Sequence, residues 1–121
     1  MCSDYRLNTG PTPIEEYYRA LGVMHAGDIF SGKNVPLLDA VNGGSGVEIG
    51  ATLAKAADGA KGVTSIITGH STVMTVADLR EYAAFNNEFA ATVQAAKKAG
   101  RTPDEVAASY TIPATGNWPR R

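Results

Sequence analysis

A short run of β-branched residues, VTSIIT at positions 63–68, most constrains the fold because segments with helical periodicity lie on both sides of it. Gly62 and Gly69 bound the run, as is typical of a buried strand. A second apolar strand is predicted over residues 21–25. Strands that alternate with helices indicate an α/β fold, here a small mixed sheet with helices packed on one face.

The two flanking segments each predict a helix with one apolar face. Apolar residues recur at steps of three and four between residues 45 and 57 and again between residues 76 and 96. Gly59 is expected to end the first helix in the C′ position, and Gly100 to end the second.

Capping signals locate the start of the second helix and predict a third. Thr75 is expected to be an N-cap, with the carboxylate of Asp78 at N3 near the positive helix end. The sequence TPDE at 102–105 supplies an N-cap threonine, a proline at N1 and a capping-box glutamate for a short final helix.

The remaining segments are less regular. The stretch IEEYYRALGVMHAGD at 14–28 allows either a short helix over residues 14–20 or a hairpin that turns near residues 20–22. Glycine and proline predict a long loop over 29–44 and irregular structure over 1–13 and 114–121. The chain has 121 residues, which suits a single domain over 1–121.

Composition restricts the class of protein. Hydrophobic residues make up 44% of the chain and charged residues 19%, which allows a packed core. The net charge of −1, with both signs mixed along the chain, gives no basic patch for nucleic acid. No apolar run reaches the length of a membrane span, and the single Cys2 cannot form an intramolecular disulfide, so we expect a cytoplasmic protein.

Two predicted strands are each followed by a side chain that can bind metal. Asp28 follows the sequence HAG, and His70 follows the strand that ends at Thr68 and Gly69. A carboxylate and an imidazole that meet at one edge of a sheet can hold a divalent ion, but zinc sites usually need more than two protein ligands. The residue types alone equally allow a loop-capping aspartate and a histidine packed in the structure.

The order of these features resembles the C-terminal portion of metallo-β-lactamase-superfamily hydrolases over about residues 23–107. The shared elements are a strand ending in Gly-Asp, a loop with a phenylalanine, a Gly-Gly-Ser turn, and a strand ending in Gly-His before a long helix. Here they are Gly27-Asp28, Phe30, Gly43-Gly44-Ser45 and Gly69-His70. The resemblance implies half of the family's αββα sandwich.

The resemblance also implies a metal site and a reaction. Asp28 matches the metal-bridging aspartate, which positions the nucleophilic hydroxide, and His70 matches a ligand of the second metal. Zinc is the implied ion, with manganese or iron as alternatives. The implied activity is hydrolysis of a small-molecule ester, lactone, β-lactam, thioester or phosphoester.

The family's N-terminal His-x-His-x-Asp-His motif is missing from this sequence, whose only histidines are His25 and His70. The remaining ligands are therefore expected from a homo-oligomer or from a missing N-terminal half. The face of the sheet that no helix covers is expected to be apolar and exposed, which also favours a homo-oligomer or a missing N-terminal half. The alternatives are a non-catalytic binding or self-associating module, or a small protein with an unrelated activity.

Four further residues are candidates for substrate contact or for support of the metal ligands. Ser71 follows His70, while Lys33 and Asn34 lie in the loop after Asp28. His25 precedes Asp28 by three positions, so in a regular strand its side chain points to the opposite face. It is expected to pack beside the sheet, and to join a metal site only if the strand bends or bulges.

Overall fold

The computed structural model describes residues 16–111, and the side chains of residues 20–111. The predictions for 1–13 and 114–121, and Cys2, lie outside this part of the chain. The described residues form a mixed α/β fold with a three-stranded sheet and three α-helices. The strands are β1 (Glu16–Tyr18), β2 (Val23–Gly27) and β3 (Ser65–Thr68), and the helices are α1 (Ile49–Gly59), α2 (Val76–Lys98) and α3 (Pro103–Ser109).

The segment before Asp28 is a hairpin, so of the two interpretations of this stretch the helix is wrong. β1 pairs antiparallel with β2, and a single 3-10 turn at Arg19–Leu21 joins them. The second strand begins two residues later than predicted, because Gly22 adopts a left-handed φ of 62° that closes the turn. The carbonyl of Gly22 then accepts a hydrogen bond from the Thr64 amide at 2.8 Å, which aligns β2 with β3.

β2 and β3 are parallel, and the sheet order is β1-β2-β3. The predicted mixed sheet is therefore confirmed. Parallel pairing brings the carboxyl ends of the two strands to the same edge, where the chain continues into Asp28 and into Gly69. The register shifts by one residue between His25 and Gly27, so β2 is irregular just before this edge.

The helices cover one face of the sheet. Strand residues that alternate toward them are buried, and the core is completed by α1, α2 and the loop after β2; its largest fully buried side chains are Met24, Phe30, Leu53, Ile66, Leu79 and Tyr82. On the other face His25 is exposed and Ile67 is partly exposed. The helices pack on a single face, as predicted, and among the strand side chains that the structure describes the open face carries both the polar His25 and the apolar Ile67.

The first helix differs from its prediction at both ends. Residues 45–48 form a turn, and α1 begins at Ile49. Gly59 is the last helical residue, and the left-handed position comes later, at Gly62 with φ 78°. The C′ role predicted for Gly59 is wrong because the chain makes another turn before it reverses toward β3.

The second and third helices follow their capping signals. Thr75 and Asp78 form a reciprocal capping box, as do Thr102 and Glu105. Gly100 has φ 75°; its amide donates to the Lys97 carbonyl, and the Arg101 amide donates to the Ala96 carbonyl, both at 3.0 Å. These two bonds form a Schellman motif, so the predicted end of α2 is confirmed.

Candidate functional site

Asp28 and His70 meet at the carboxyl edge of the parallel strand pair. Oδ1 of Asp28 lies 3.1 Å from Nε2 of His70. Both side chains are accessible from solvent, with 52% of the Asp28 side chain and 72% of the His70 side chain exposed. The structure thus brings together the two residues that the sequence singled out, on a surface that a ligand can reach.

Backbone contacts between the two loops fix this meeting point. The Phe30 carbonyl accepts from the Gly69 amide at 3.4 Å, and the Ser31 carbonyl accepts from the His70 amide at 3.2 Å. Phe30 itself is fully buried and packs against the ring of Tyr82, with centroids 5.0 Å apart. The loop after Asp28 is therefore anchored in the core and in turn holds the backbone of His70.

Glycine is required at position 69 by the close approach of Asp28. A β-carbon built there would overlap Oδ1 of Asp28 and would lie 2.9 Å from the Gly27 carbonyl oxygen. Real β-carbons do not approach backbone atoms this closely, so any side chain would push the two loops apart. A glycine before His70 is therefore required for steric reasons, which the sequence pattern alone does not reveal.

Thr68 organises the loop that carries His70, a role that is not among the predictions from the sequence. Its side chain is buried, and its Oγ1 accepts from the Ser71 amide at 3.0 Å and donates to the Thr72 carbonyl at 3.3 Å. A threonine hydroxyl that accepts a hydrogen bond from the backbone amide three residues later is a known local turn pattern. The position of Thr68 at the end of a strand, three residues before Ser71, was the sequence feature that could have predicted this turn.

His25 does not join the pair, although the strand irregularity that would allow it is present. Its Nδ1 accepts a hydrogen bond from the Gly27 amide at 3.1 Å, and its side chain is exposed. Among residues 16–111, no group of three or more histidine, cysteine, aspartate or glutamate side chains is placed to hold a metal. His25 is therefore beside the sheet and separate from Asp28 and His70.

Lys33 points toward α2. Its Nζ lies 2.9 Å from Oδ1 of Asp78 and 2.7 Å from Oε2 of Glu81, and only 15% of its side chain is exposed. These hydrogen bonds, first to Glu81 and then to Asp78, raise the pKa of Lys33 above its ordinary value. The ammonium group is already paired with two carboxylates of α2. It therefore joins the loop to the helix and is a poor contact for substrate.

Asn34 and Ser71 lie together beside Gly32. A β-carbon on Gly32 would be 3.2 Å from Nδ2 of Asn34 and 3.3 Å from Oγ of Ser71. Both side chains are exposed and belong to the two loops that also carry Asp28 and His70. The loops that carry the carboxylate and the imidazole therefore also expose an amide and a hydroxyl, which lie beside Gly32.

Comparison with protein-family models, with curated proteins and with solved structures gives no match to this chain. Within the described residues, none of the helices has the length and apolar character needed to cross a membrane.

Proposed function

We propose that Asp28 and His70 form part of a divalent metal site in a metal-dependent hydrolase of the metallo-β-lactamase type, of which this chain contributes a partial sandwich. The observation that carries the proposal is the 3.1 Å separation of Asp28 Oδ1 and His70 Nε2 on an exposed edge. Oxygen and imidazole nitrogen suit zinc, with manganese or iron as alternatives.

The separation of the two atoms fits a shared ion. Ligand atoms about 2.1 Å from a tetrahedral zinc lie about 3.4 Å from each other, and at octahedral angles about 3.0 Å apart. The value of 3.1 Å lies between these two separations. Both atoms could therefore bind one ion with little change in their separation.

Two protein ligands leave most of the coordination sphere to other groups. A second copy of the chain, related by a two-fold axis, would add another Asp28 and His70, and an N-terminal half on a separate chain is the other source. When bound, the ion would supply an activated water for attack on a carbonyl or phosphoryl centre. Asp28 would orient that water, while Asn34 and Ser71 would hydrogen-bond the substrate.

Metal content and NMR together test the proposal. Elemental analysis of protein equilibrated with excess zinc is compared between the wild type, Asp28→Asn and His70→Gln. The matched control is Asp58→Asn, which removes an exposed carboxylate that lies 3.7 Å from Arg80 on α2. We expect zinc in the wild type and in the control, and its loss in both site variants.

The imidazole signals add a site-specific reading, because the chain has two histidines and only one of them lies at the site. Zinc should shift the signals of His70 and leave those of His25 in place. Unchanged His70 signals at saturating zinc, with no zinc retained, would refute the metal site.

A self-associating module is the second candidate, and a different observation favours it. The loop before α1 exposes aliphatic side chains, with Leu37 fully exposed and Val41 95% exposed. Val35, Leu38 and Val47 lie in the same segment and are also exposed. Sedimentation of the wild type beside a Leu37→Ser, Val41→Ser double variant tests this, with Val93→Ser on α2 as control. A monomeric wild type would exclude self-association through this loop.

A further inference from the structure

The ammonium group of Lys33 ties the loop of Asp28 to the first turns of α2. Asp78 and Glu81 are three residues apart, so their side chains lie on the same side of the helix. Lys33 lies between them, at 2.9 Å and 2.7 Å, and is more buried than either carboxylate. A lysine in this position offsets the repulsion that two neighbouring carboxylates would otherwise feel.

The tied loop is the one that fixes His70. It leaves β2 at Asp28, enters the core at Phe30, and gives the Ser31 carbonyl to the His70 amide at 3.2 Å. Lys33 follows two residues later and pairs with α2 just before the chain enters the mostly exposed segment 34–48. Ser31 thus lies between a buried anchor at Phe30 and an ionic anchor at Lys33.

We propose that Lys33 is a positioning residue for the metal site, which rests on the function proposed above. It acts through Ser31 and the loop, and not by contact with metal or substrate. Without its charge, Asp78 and Glu81 would repel each other, and the loop would lose its second anchor. The Ser31 carbonyl and the His70 amide would then separate more often, and Asp28 and His70 would spend less time 3.1 Å apart.

A site with few protein ligands is sensitive to such a loss. Both side chains are more than half exposed, and the contacts between the backbones of the two loops set where each side chain begins. Groups that orient metal ligands from outside the coordination sphere typically change metal affinity by about 10-fold to 100-fold when they are removed. Because Lys33 acts through one intervening residue, we expect an effect near the lower end of that range.

The test combines a metal-free measurement with a zinc titration on the wild type, Lys33→Met and Lys33→Arg. Arg80→Met is the matched control, since Arg80 also joins α2 to another element, by a 3.3 Å bond to the Ala57 carbonyl, but does so on α1. In the metal-free protein, hydrogen exchange of the His70 amide and the imidazole signals of His70 are recorded. Zinc affinity is then read from the same imidazole signals, with His25 as internal reference.

We expect Lys33→Met to speed exchange of the His70 amide, to shift the His70 imidazole signals, and to weaken zinc binding about tenfold. Lys33→Arg should restore most of the affinity, because a guanidinium can also pair with both carboxylates. Arg80→Met should stay within about twofold of the wild type, as expected for a substitution distant from the metal ligands.

The two proposals fail in different ways. Zinc affinity that is equal in the wild type and in Lys33→Met overturns the role of Lys33 and leaves the metal site standing. If the wild type binds no zinc but the His70 amide and ring still respond to Lys33→Met, the metal function fails and the positioning of His70 stands. Unchanged exchange and unchanged ring signals in the metal-free variant overturn the inference whatever zinc does.

Discussion

A side chain at position 69 and the carboxylate of Asp28 cannot occupy their present positions together, because a β-carbon on Gly69 would overlap Oδ1 of Asp28. This is the same oxygen that lies 3.1 Å from Nε2 of His70. The glycine before His70 therefore sets how closely the two loops approach, and with it the geometry of the candidate metal site.

Gly69→Ala should displace Asp28 from His70 and abolish zinc-induced shifts of the His70 signals. The overlap also involves the Gly27 backbone, so we expect a loss of about 1–3 kcal/mol in the free energy of unfolding, measured by urea denaturation. Gly46→Ala is the control, since a β-carbon there meets only the end of the Leu38 side chain at 3.1 Å. Normal zinc binding by Gly69→Ala would contradict the steric argument.

Gly50→Ala should destabilise the packing of α1 on α2. A β-carbon at Gly50 would overlap the side-chain oxygen of Asn87 and lie 2.8 Å from the Asn87 backbone nitrogen. Alanine in a helix is favoured over glycine by about 0.5–1 kcal/mol, but overpacking against backbone costs about 1–3 kcal/mol. We therefore expect thermal denaturation to show a lower melting temperature. A higher melting temperature would show that α1 and α2 can move apart without loss of stability.

Lys33→Met should lower the free energy of unfolding at pH 7 by about 1–2 kcal/mol, since it leaves the Asp78 and Glu81 carboxylates without their shared cation. Lys33, followed by Thr75, lowers the pKa of Asp78 from 3.8 to about 2. A lowered pKa stabilises the folded state above the unfolded value, and this stabilisation is lost as pH falls from about 4 toward 2. The pKa of Lys33 is raised from 10.5, so its contribution is lost above that pH.

Urea denaturation of the wild type and Lys33→Met across this range measures the difference directly. It should be largest between about pH 4 and pH 10 and shrink at both ends. A difference that stays constant down to pH 2 would show that the pairing of Lys33 with these carboxylates does not stabilise the fold.

The capping threonines should each contribute about 1 kcal/mol to stability. In α2 the Thr75 hydroxyl accepts from the Asp78 amide at 3.2 Å, and in α3 the Thr102 hydroxyl accepts from the Glu105 amide at 3.3 Å. Thr75→Ala should lower the free energy of unfolding more than Thr102→Ala does, because the Asp78 carboxylate that caps α2 together with Thr75 also pairs with Lys33. Thr92→Ala, in the exposed interior of α2, should be neutral or slightly stabilising.

Local signals in the sequence were sufficient where the structure depends on neighbouring residues. Thr75, Asp78 and Gly100 specify the two ends of α2, and the TPDE sequence specifies the start of α3. The α/β class followed from the alternation of strands and helices. Asp28 and His70 were identified because each follows a strand, and parallel strands deliver their carboxyl ends to one edge.

Other features depended on contacts between distant segments. The sequence could not decide between helix and hairpin before Asp28, because that choice rests on pairing of β1 with β2. The predicted end of α1 at Gly59 was wrong for a related reason, since the position of β3 decides where the chain reverses.

The sequence by itself determined the class of fold, the capped helices and the two residues of the candidate site, because these depend on periodicity and on side chains within a few positions of each other. Only the tertiary structure decided that Asp28 and His70 lie 3.1 Å apart, that Gly69 must lack a side chain, and that Lys33 binds α2. Those relationships join residues more than 40 positions apart, and their distances are set by packing of the loops on a shared core.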